Sequence, residues 1–336
     1  MKFVILTEGS HKFGLGHIAR CTSFYDELIK RRYDVEFVIH GDETVHALLR
    51  DRNYSLVDWH GKINELIKSF KHYDGVILDS LNITQEEVSL LCGCDFKLLS
   101  IDDFLRNTYN DSIVLDWTIN IERSEKHKHN EKNNILLLGA EYAVVRNPFI
   151  GNKISKAKTL HRVLITMGGS DIRSLTDPLI ESISRSFDDL ELLIVTGPGI
   201  SNKDKVSNVK SNNVKFYSSL DASGMRNVMM DCDIAISAGG QTLYELAALS
   251  IPTIAIQVTD NQNEDIVGWK EKGLIYKVFP WDDKSVCEKV CSALYDLKAI
   301  GVRQKIKNKI NGIIGHNSVA KIMDILIASI NVKNRK

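Results

Sequence analysis

Residues 1–21, MKFVILTEGSHKFGLGHIARC, contain the order of features that decides the fold. The uninterrupted apolar run at 3–6 is typical of a strand that is buried on both faces of a parallel sheet. A turn rich in glycine follows, and apolar residues then recur at helical spacing from Ile18 to Ile29. A strand, a glycine-rich turn and a helix in this order predict the first unit of a parallel α/β fold.

The same alternation of short apolar runs and amphipathic stretches continues along the chain. Further strands are predicted at 35–39, 75–78 and 96–99, and the series restarts after residue 150 with a strand at 162–166. The elements predicted beyond it are helices 172–186, 222–231, 240–249, 262–272, 283–297, 301–312 and 317–330, and strands 190–195, 214–217, 233–236 and 252–256. We therefore expect an α/β protein with two doubly wound, Rossmann-like domains facing a cleft.

The length of 336 residues fits two domains, at roughly 100–200 residues per domain. Pro148 and Gly151 precede a polar, lysine-bearing stretch at 152–158, which is typical of a domain boundary. We expect an N-terminal domain at 1–150 and a C-terminal domain at 151–316. Residues 317–336 would form a C-terminal helix and tail, for which packing back on the N-terminal domain is one arrangement.

Composition narrows the class of protein. Lys+Arg and Asp+Glu both number 43, whereas nucleic-acid-binding proteins usually carry a basic excess, so no nucleic-acid partner is expected. No apolar run approaches the roughly 18 residues of a membrane span, and the N-terminal apolar run is too short for a secretory signal. We expect a cytoplasmic protein without an integral membrane segment. The six cysteines lack the spacing of a metal site, so we expect reduced, buried thiols.

The first candidate loop runs from Gly14 through Gly16 to His17. Glycines allow the backbone to turn sharply and approach a ligand, and the free N–H groups of the following helix suit an anion or a polar sugar. An imidazole at a helix start can serve as a base near neutral pH. The alternative interpretation is that His17 only caps the helix.

The second candidate loop is Ser237-Ala238-Gly239-Gly240-Gln241-Thr242, which follows a predicted strand. Adjacent glycines, an amide and a hydroxyl at a helix start are suited to a diphosphate, and Glu245, one turn on, can accept hydrogen bonds from ribose hydroxyls. The alternative is a simple helix cap, with Glu245 closing a capping box.

Two further loops also follow strands. One is Val258-Thr259-Asp260-Asn261-Gln262, for which an Asx cap on the next helix is the alternative. The other is Gly168-Gly169-Ser170-Asp171. Ligands of open parallel sheets bind beyond the carboxyl ends of the strands. All these loops lie there, so we expect them to share one ligand.

At these residues the sequence resembles the UDP-sugar hydrolases of pseudaminic acid biosynthesis and the related spore-coat polysaccharide biosynthesis proteins. Both belong to the GT-B superfamily and are akin to the N-acetylglucosaminyltransferase of peptidoglycan synthesis. The resemblance covers most of the chain, with anchors at 14–21, 138–146, 167–171, 236–245 and 261–262.

The resemblance implies that the N-terminal domain at 1–150 lies on the sugar or acceptor side and that the C-terminal domain at 151–316 binds UDP, with 239–242 at the phosphates and Glu245 at the ribose. His17 would activate a water for attack at the anomeric carbon, releasing UDP and a free deoxy-amino sugar, and Asn261 would contact sugar or phosphate. A small-molecule UDP-sugar is the expected partner, with no cofactor and no metal. The expected substrate-binding residues are Gly14, Gly16, Asp79, Gly168, Gly169, Ser170, Ser237, Gly239, Gly240, Gln241, Thr242, Glu245 and Gln262.

The chain departs from the family pattern in two places. Family members often have Arg-x-Asp before the glycine loop, where this chain has Leu6 and Glu8. An Asp-His-Tyr motif is replaced by Asp79-Ser80-Leu81, and Asp79 is interpreted either as a sugar contact or as a helix cap. The leading hypothesis is hydrolysis of a UDP-linked acetamido-deoxy sugar. The alternatives are a GT-B glycosyltransferase, in which His17 deprotonates an acceptor hydroxyl, and a non-catalytic nucleotide-sugar-binding protein.

Overall fold

The structure is a computed structural model that describes residues 1–11, 14–121, 125–130, 133–151, 159–169, 171–197, 213–218, 220–259 and 262–333. The chain divides into two compact units. The first consists of Met1–Arg146 and Asn317–Lys336, and the second of Asn147–His316.

The first unit is built on a seven-stranded sheet with the order β3-β2-β1-β4-β5-β6-β7. All of its strand pairs are parallel. Its elements are β1 (Lys2–Gly9), α1 (Gly16–Lys30), β2 (Asp34–Gly41), α2 (His46–Leu49), β3 (Tyr54–Leu56), α3 (Ile63–Ser69), β4 (Gly75–Asp79), α4 (Gln85–Cys92), β5 (Lys97–Ile101), β6 (Ile113–Asp116), β7 (Ile135–Leu138) and α11 (Ser318–Lys333).

Helices cover both faces of this sheet. One face packs on α3 and α4, where Val4 and Leu6 of β1 join a core that includes Ile63 and Leu91. Side chains alternate along a strand, so the other residues of β1 face the opposite layer, where α1 packs. The apolar run of β1 is therefore buried on both sides, as a central parallel strand requires.

The C-terminal helix α11 packs on the first unit, against α1 and β5. Arg31 in the turn after α1 donates to the Asp324 carboxylate at 2.6 Å and to the Ala320 carbonyl at 3.0 Å. Ser318 at the start of α11 donates to the Ala143 carbonyl at 2.6 Å. The end of the chain thus completes the layer that α1 begins.

The second unit is built on a six-stranded parallel sheet with the order β10-β9-β8-β11-β12-β13. Its elements are β8 (Arg162–Thr166), α5 (Thr176–Ser186), β9 (Glu191–Thr196), β10 (Val214–Ser218), α6 (Ala222–Asp231), β11 (Ile234–Ala238), α7 (Thr242–Ala248), β12 (Thr253–Gln257), α8 (Asn263–Glu271), β13 (Lys277–Pro280), α9 (Val286–Leu297) and α10 (Ile300–Ile310). The prediction of two doubly wound α/β halves is confirmed.

Each sheet reverses its strand order once, between β1 and β4 in the first unit and between β8 and β11 in the second. In open α/β sheets this switch point is where ligands bind, beyond the carboxyl ends of the strands. Loops from neighbouring strands diverge there and leave a crevice. In each unit, a ligand is therefore expected at the turns that follow these strands.

One predicted helix begins later than expected. The helix predicted at 172–186 starts at Thr176, because Asp171 and Ser174 have positive φ angles of 38° and 53°. The Asp171 carboxylate accepts hydrogen bonds from the backbone N–H groups of Leu175 and Thr176, both at 3.0 Å. This turn uses the groups that would otherwise begin the helix earlier.

Four strands were absent from the prediction: β3, β6, β7 and β13. They have only three or four residues each. Strands β3, β7 and β13 lie at sheet edges and are partly exposed. Their place in the sheet is set by the neighbouring strand rather than by their own sequence.

Candidate functional site

The turn after β1 leads directly into α1 and presents the start of that helix. Ser10 and Gly14 exchange backbone hydrogen bonds at 3.1 and 2.8 Å, and Gly14 has a φ of 79°, which favours glycine. Helix α1 begins at Gly16, with no side-chain cap and no acidic residue in its first turn. Its first N–H groups are therefore available to a ligand.

His17 lies in the first turn of α1 and forms a pair with Asp79 at the end of β4. Its Nδ1 atom is 2.7 Å from Asp79 Oδ1, and its side chain is 19% exposed whereas that of Asp79 is fully buried. The capping interpretation of His17 is wrong, because the ring bonds a carboxylate from another strand instead of the helix backbone.

Arg20, one turn after His17, holds the Asp79 carboxylate. Its Nε and Nη2 atoms donate to the two Asp79 oxygens, both at 2.6 Å. Burial alone would raise the pKa of Asp79, but the charges of Arg20 and His17, and hydrogen bonds from both, hold that pKa well below its usual range. Asp79 is therefore an ionised carboxylate. An ionised carboxylate only accepts hydrogen bonds, so Nδ1 of His17 carries the proton of this bond, and in the neutral imidazole Nε2 carries the lone pair.

The remaining face of Arg20 is also occupied. Nη1 donates to Asp103 Oδ2 at 2.9 Å, and the guanidinium carbon lies 4.9 Å from the centroid of the Trp117 ring. Asp103 is positioned by a left-handed turn at Phe104, where φ is 69° and the backbone N–H donates to Asp116 at 2.8 Å. The Asp103 carboxylate and the Trp117 indole thus fix the guanidinium that holds Asp79.

Asp79 does not take either of the two roles expected for it. It is 0% exposed, and both of its oxygens are engaged, so it orients His17 instead of contacting a sugar. Nor does it cap the following helix, because Thr84 is the N-cap of α4 and forms a capping box with Glu87. The sequence indicates Asp79 but not its partner Arg20, nor Asp103, which pairs with Arg20; the only local signal for Arg20 was its spacing of one helical turn from His17.

Glu8, in the place where the family pattern has Asp, organises the loop that follows Asp79. Its Oε2 accepts from Ser80 Oγ at 2.9 Å and pairs with His60 Nε2 at 2.7 Å, and its Oε1 accepts from Leu81 N at 2.7 Å. Burial would raise the pKa of Glu8, but the hydrogen bonds from His60, Ser80 and Leu81 lower it to about 2. Arg106 holds the same loop from the other side through the Ser80 and Leu81 carbonyls, at 3.1 and 2.6 Å.

In the second unit, the loop after β11 is shaped by two glycines with different surroundings. A Cβ atom at Gly239 would lie 2.2 Å from Ile266 Cδ1, whereas one at Gly240 would meet, among the described residues, only Gln262 Nε2, at 3.8 Å. Gly239 is thus required for packing against α8. Gly240 has open space above it, so a ligand can approach its backbone closely.

Helix α7 begins at Thr242, and its N-cap residue, Gln241, makes no side-chain cap hydrogen bond. The Ser237 hydroxyl instead donates to the Ala238 carbonyl at 3.0 Å. The capping interpretation of this loop is therefore wrong. Glu245 is 3% exposed, so only a small part of it is open to a ligand.

The loops after β12 and β8 lie at the same edge of the second sheet. The Gln262 side chain accepts from the Val258 N–H at 3.0 Å, and its amide is the group beside Gly240. Gly168 has a φ of 82°, and no atom of the described residues lies within 4 Å of a Cβ position at Gly168 or Gly169. The structure thus brings together Gly168, Gly169, Gly239, Gly240 and Gln262 at or beside the switch point, whereas Ser170 and Asn261 lie outside the described residues.

Within the described residues, no group of three or more His, Cys, Asp or Glu side chains is arranged to hold a metal ion. The six cysteines are free thiols. Only Cys21 is buried and the other five are half-buried, which corrects the expectation that all are buried. In the described part of the chain, no helix combines the length and the apolar character needed to cross a membrane.

Sequence relatives exist at low identity, and no family model matches the chain. It is 29% identical to the uncharacterized protein MJ1062 of Methanocaldococcus jannaschii over 79% of its length, and 26% identical to the pseudaminic acid cytidylyltransferase and UDP-2,4-diacetamido-2,4,6-trideoxy-beta-L-altropyranose hydrolase of Helicobacter pylori over 74%. It spans only 57% and 43% of those two proteins, about half of their length. The spore coat polysaccharide biosynthesis protein SpsG of Bacillus subtilis is 21% identical over 80% of this chain and 81% of its own.

Solved structures identify the class of fold. The chain resembles MurG of Acinetobacter baumannii with a TM-score of 0.67 and 12% identity, over 98% of this chain and 100% of that one. It resembles the calicheamicin glycosyltransferase CalG4 with a TM-score of 0.65 and 10% identity, over 98% of both chains. It resembles a UDP complex of S. aureus MnaA with a TM-score of 0.66 and 12% identity, over 98% of this chain and 97% of that one. The chain thus has the GT-B fold of glycosyltransferases, and at these identities the likeness establishes the fold alone.

Proposed function

We propose that this protein cleaves the bond between the anomeric carbon and the diphosphate of a UDP-sugar, with His17 as the general base and water as the nucleophile. The observation that carries the proposal is the His17–Asp79 pair at the first switch point, with Nδ1 and Oδ1 2.7 Å apart. A buried, ionised carboxylate that fixes one ring nitrogen leaves the other as a base of defined direction.

The proposed reaction is hydrolysis of the bond between the anomeric carbon and the diphosphate. A lone pair of the water oxygen attacks the anomeric carbon while His17 Nε2 takes the proton of that water. The bond from the anomeric carbon to the diphosphate oxygen breaks, and its electron pair leaves with UDP. The imidazolium that forms is stabilised by the Asp79 carboxylate, which Arg20 holds in place.

The loops of the second unit are proposed to hold the leaving group. Backbone N–H groups at the start of α7 and the open backbone of Gly240 suit a diphosphate, whose charge grows as the bond breaks. Gly168, Gly169 and Gln262 would complete this binding site, Glu245 would accept hydrogen bonds from the ribose, and Ser170 and Asn261 would add contacts. The names of the Helicobacter pylori and Bacillus subtilis relatives support a sugar substrate of surface-polysaccharide or nonulosonic-acid biosynthesis.

A second candidate function is transfer of the sugar to an acceptor hydroxyl, with His17 deprotonating that hydroxyl instead of water. The GT-B fold is shared with glycosyltransferases.

The deciding experiment measures UDP release from a panel of UDP-sugars, with and without added acceptor alcohols and sugars. Release without an acceptor supports hydrolysis, and release that requires one supports transfer. No release from any member of the panel contradicts both.

His17→Ala tests the proposed base. Without the His17 imidazole, turnover should fall by about 100-fold or more. UDP affinity measured by calorimetry should stay close to that of the wild type. His72→Ala is the matched control, because His72 is exposed and lies in the turn after α3. Turnover that survives in His17→Ala would remove this histidine from the mechanism.

A further inference from the structure

The first unit contains a second histidine that is held by a buried carboxylate. His60, in the loop after β3, pairs through Nε2 with Glu8 at 2.7 Å, and its side chain is 22% exposed whereas that of Glu8 is 1% exposed. Glu8 is ionised at neutral pH, so Nε2 of His60 donates its hydrogen bond to that carboxylate, and in the neutral imidazole Nδ1 carries the lone pair. Among the described residues, Nδ1 of His60 has no hydrogen-bond partner.

His60 lines a cavity of about 490 Å³, within the range of roughly 300–1,000 Å³ that is typical of small-molecule sites. The start of α3 and the start of α4 form its walls, and Ile63 and Leu90 supply apolar surface. The cavity lies beside the loop that Glu8 fixes, because Asn82 both lines it and donates to Glu8 at 3.1 Å.

Several polar groups around this cavity have no partner in the described part of the chain. Besides His60 Nδ1, these are the Asn64 amide, the Asn82 Oδ1 atom and the Glu86 carboxylate. Together they offer three kinds of hydrogen-bond acceptor, which are an imidazole nitrogen, amide oxygens and a carboxylate. The Asn64 amide also offers a donor. A ligand with several hydroxyl groups matches such a set, because each hydroxyl both donates and accepts.

The charges of the cavity exclude an anion. Glu86 and Glu87 line it, Glu8 lies behind His60, and no lysine or arginine is among the lining residues. A phosphate or carboxylate would be repelled, so this cavity is unsuited to the nucleotide of the proposed function. The apolar surfaces of Ile63 and Leu90 suit the C–H face of a sugar ring.

We propose that this cavity is a binding site for a neutral, hydroxylated sugar, which donates one hydroxyl to His60 Nδ1 and packs its ring against Ile63 and Leu90. The site is distinct from the diphosphate loops of the second unit. The inference does not require the proposed function, but if both hold, the bound sugar is a released product.

The test is ligand-observed saturation-transfer NMR on the full chain, with glucose, galactose, mannose and N-acetylglucosamine as neutral probes and glucose 6-phosphate as the anionic probe. We expect a signal from at least one neutral sugar and a weaker signal from the phosphate. Asn64→Trp, on the exposed side of α3, should fill the cavity and weaken binding of that sugar by about tenfold or more. Lys68→Trp, on the same helix but outside the cavity, is the matched control.

Glu86→Trp, on the other wall, provides a second block, and thermal melts of all variants check folding. Binding that survives in both Asn64→Trp and Glu86→Trp, binding that excess UDP displaces, or no signal from any neutral sugar would each overturn the proposal. UDP affinity and UDP release are measured on the same samples. Loss of sugar binding with intact UDP release would therefore contradict the sugar site alone. Loss of UDP release in the wild type would contradict the proposed function.

Discussion

Glu8 and Asp79 leave neighbouring strands on opposite faces of the first sheet, and each holds one histidine. Thr7 pairs with Asp79 across β1 and β4, and Glu8 is the next residue along β1. Paired residues on adjacent strands point the same way and successive residues alternate, so the two carboxylates reach different layers. Asp79 meets His17 at the start of α1, and Glu8 meets His60 in the loop before α3.

The Asp79–His17 pair leads to a first prediction, for Asp79→Asn. An amide that donates to His17 Nδ1 would favour the tautomer with the proton on Nε2, and the base would be lost. We expect kcat for UDP release to fall by about 100-fold or more, with UDP affinity unchanged by calorimetry. Asp111→Asn, at an exposed carboxylate paired with Lys97, is the control. A kcat within a few-fold of the wild type would show that Asp79 does not orient the base.

Arg20→Lys tests the support of Asp79. A lysine cannot reproduce the two hydrogen bonds to Asp79 together with the contact to Asp103. Breaking part of a buried charge network is costly, and we expect a loss of at least about 2 kcal/mol in the free energy of unfolding by urea. The same exchange at Arg185, in an exposed helix pair, should change stability by less than about 0.5 kcal/mol. Equal effects at the two positions would contradict a supporting role for Arg20.

Most of the fold is visible in the sequence because the central strands bury both faces. Runs such as 3–6 and 163–165 contain only apolar residues, so their length and composition identify them. The edge strand Tyr54–Leu56 is partly exposed, and Lys277–Pro280 ends at a proline. Such strands exist because a neighbour offers backbone hydrogen bonds, and that neighbour is distant in the sequence.

The site was predictable only where its chemistry is local. His17 was found through the glycines that precede it and through its place at a helix start. Its environment depends on contacts that span 59 to 83 residues, between Arg20 and either Asp79 or Asp103, and periodicity contains no information on such pairs. Glu8 was noted only as a departure from a family pattern, because a single carboxylate at a strand end does not indicate which loop it will bind.

The lowered pKa of Glu8 predicts a dependence of stability on pH. Its pKa is about 2 in the folded chain and 4.5 ordinarily, so the unfolded chain binds the proton more readily. The carboxylate therefore contributes stability that is fully present above pH 4.5 and is lost as the pH falls toward 2. The shift corresponds to at most about 3 kcal/mol. The difference in unfolding free energy between wild type and Glu8→Gln should shrink between pH 6 and pH 3; a constant difference would contradict this origin.

The two adjacent glycines of the second unit should respond differently to alanine. At Gly239 the added methyl group meets Ile266 at 2.2 Å, so we expect Gly239→Ala to lose about 1–3 kcal/mol of stability. At Gly240 the nearest atom is 3.8 Å away, and stability should change by less than about 1 kcal/mol. If a diphosphate lies on this backbone, Gly240→Ala should nevertheless weaken UDP binding in calorimetry by about tenfold. Since Gly240→Ala is expected to fold normally, unchanged UDP affinity in that variant would place the diphosphate elsewhere.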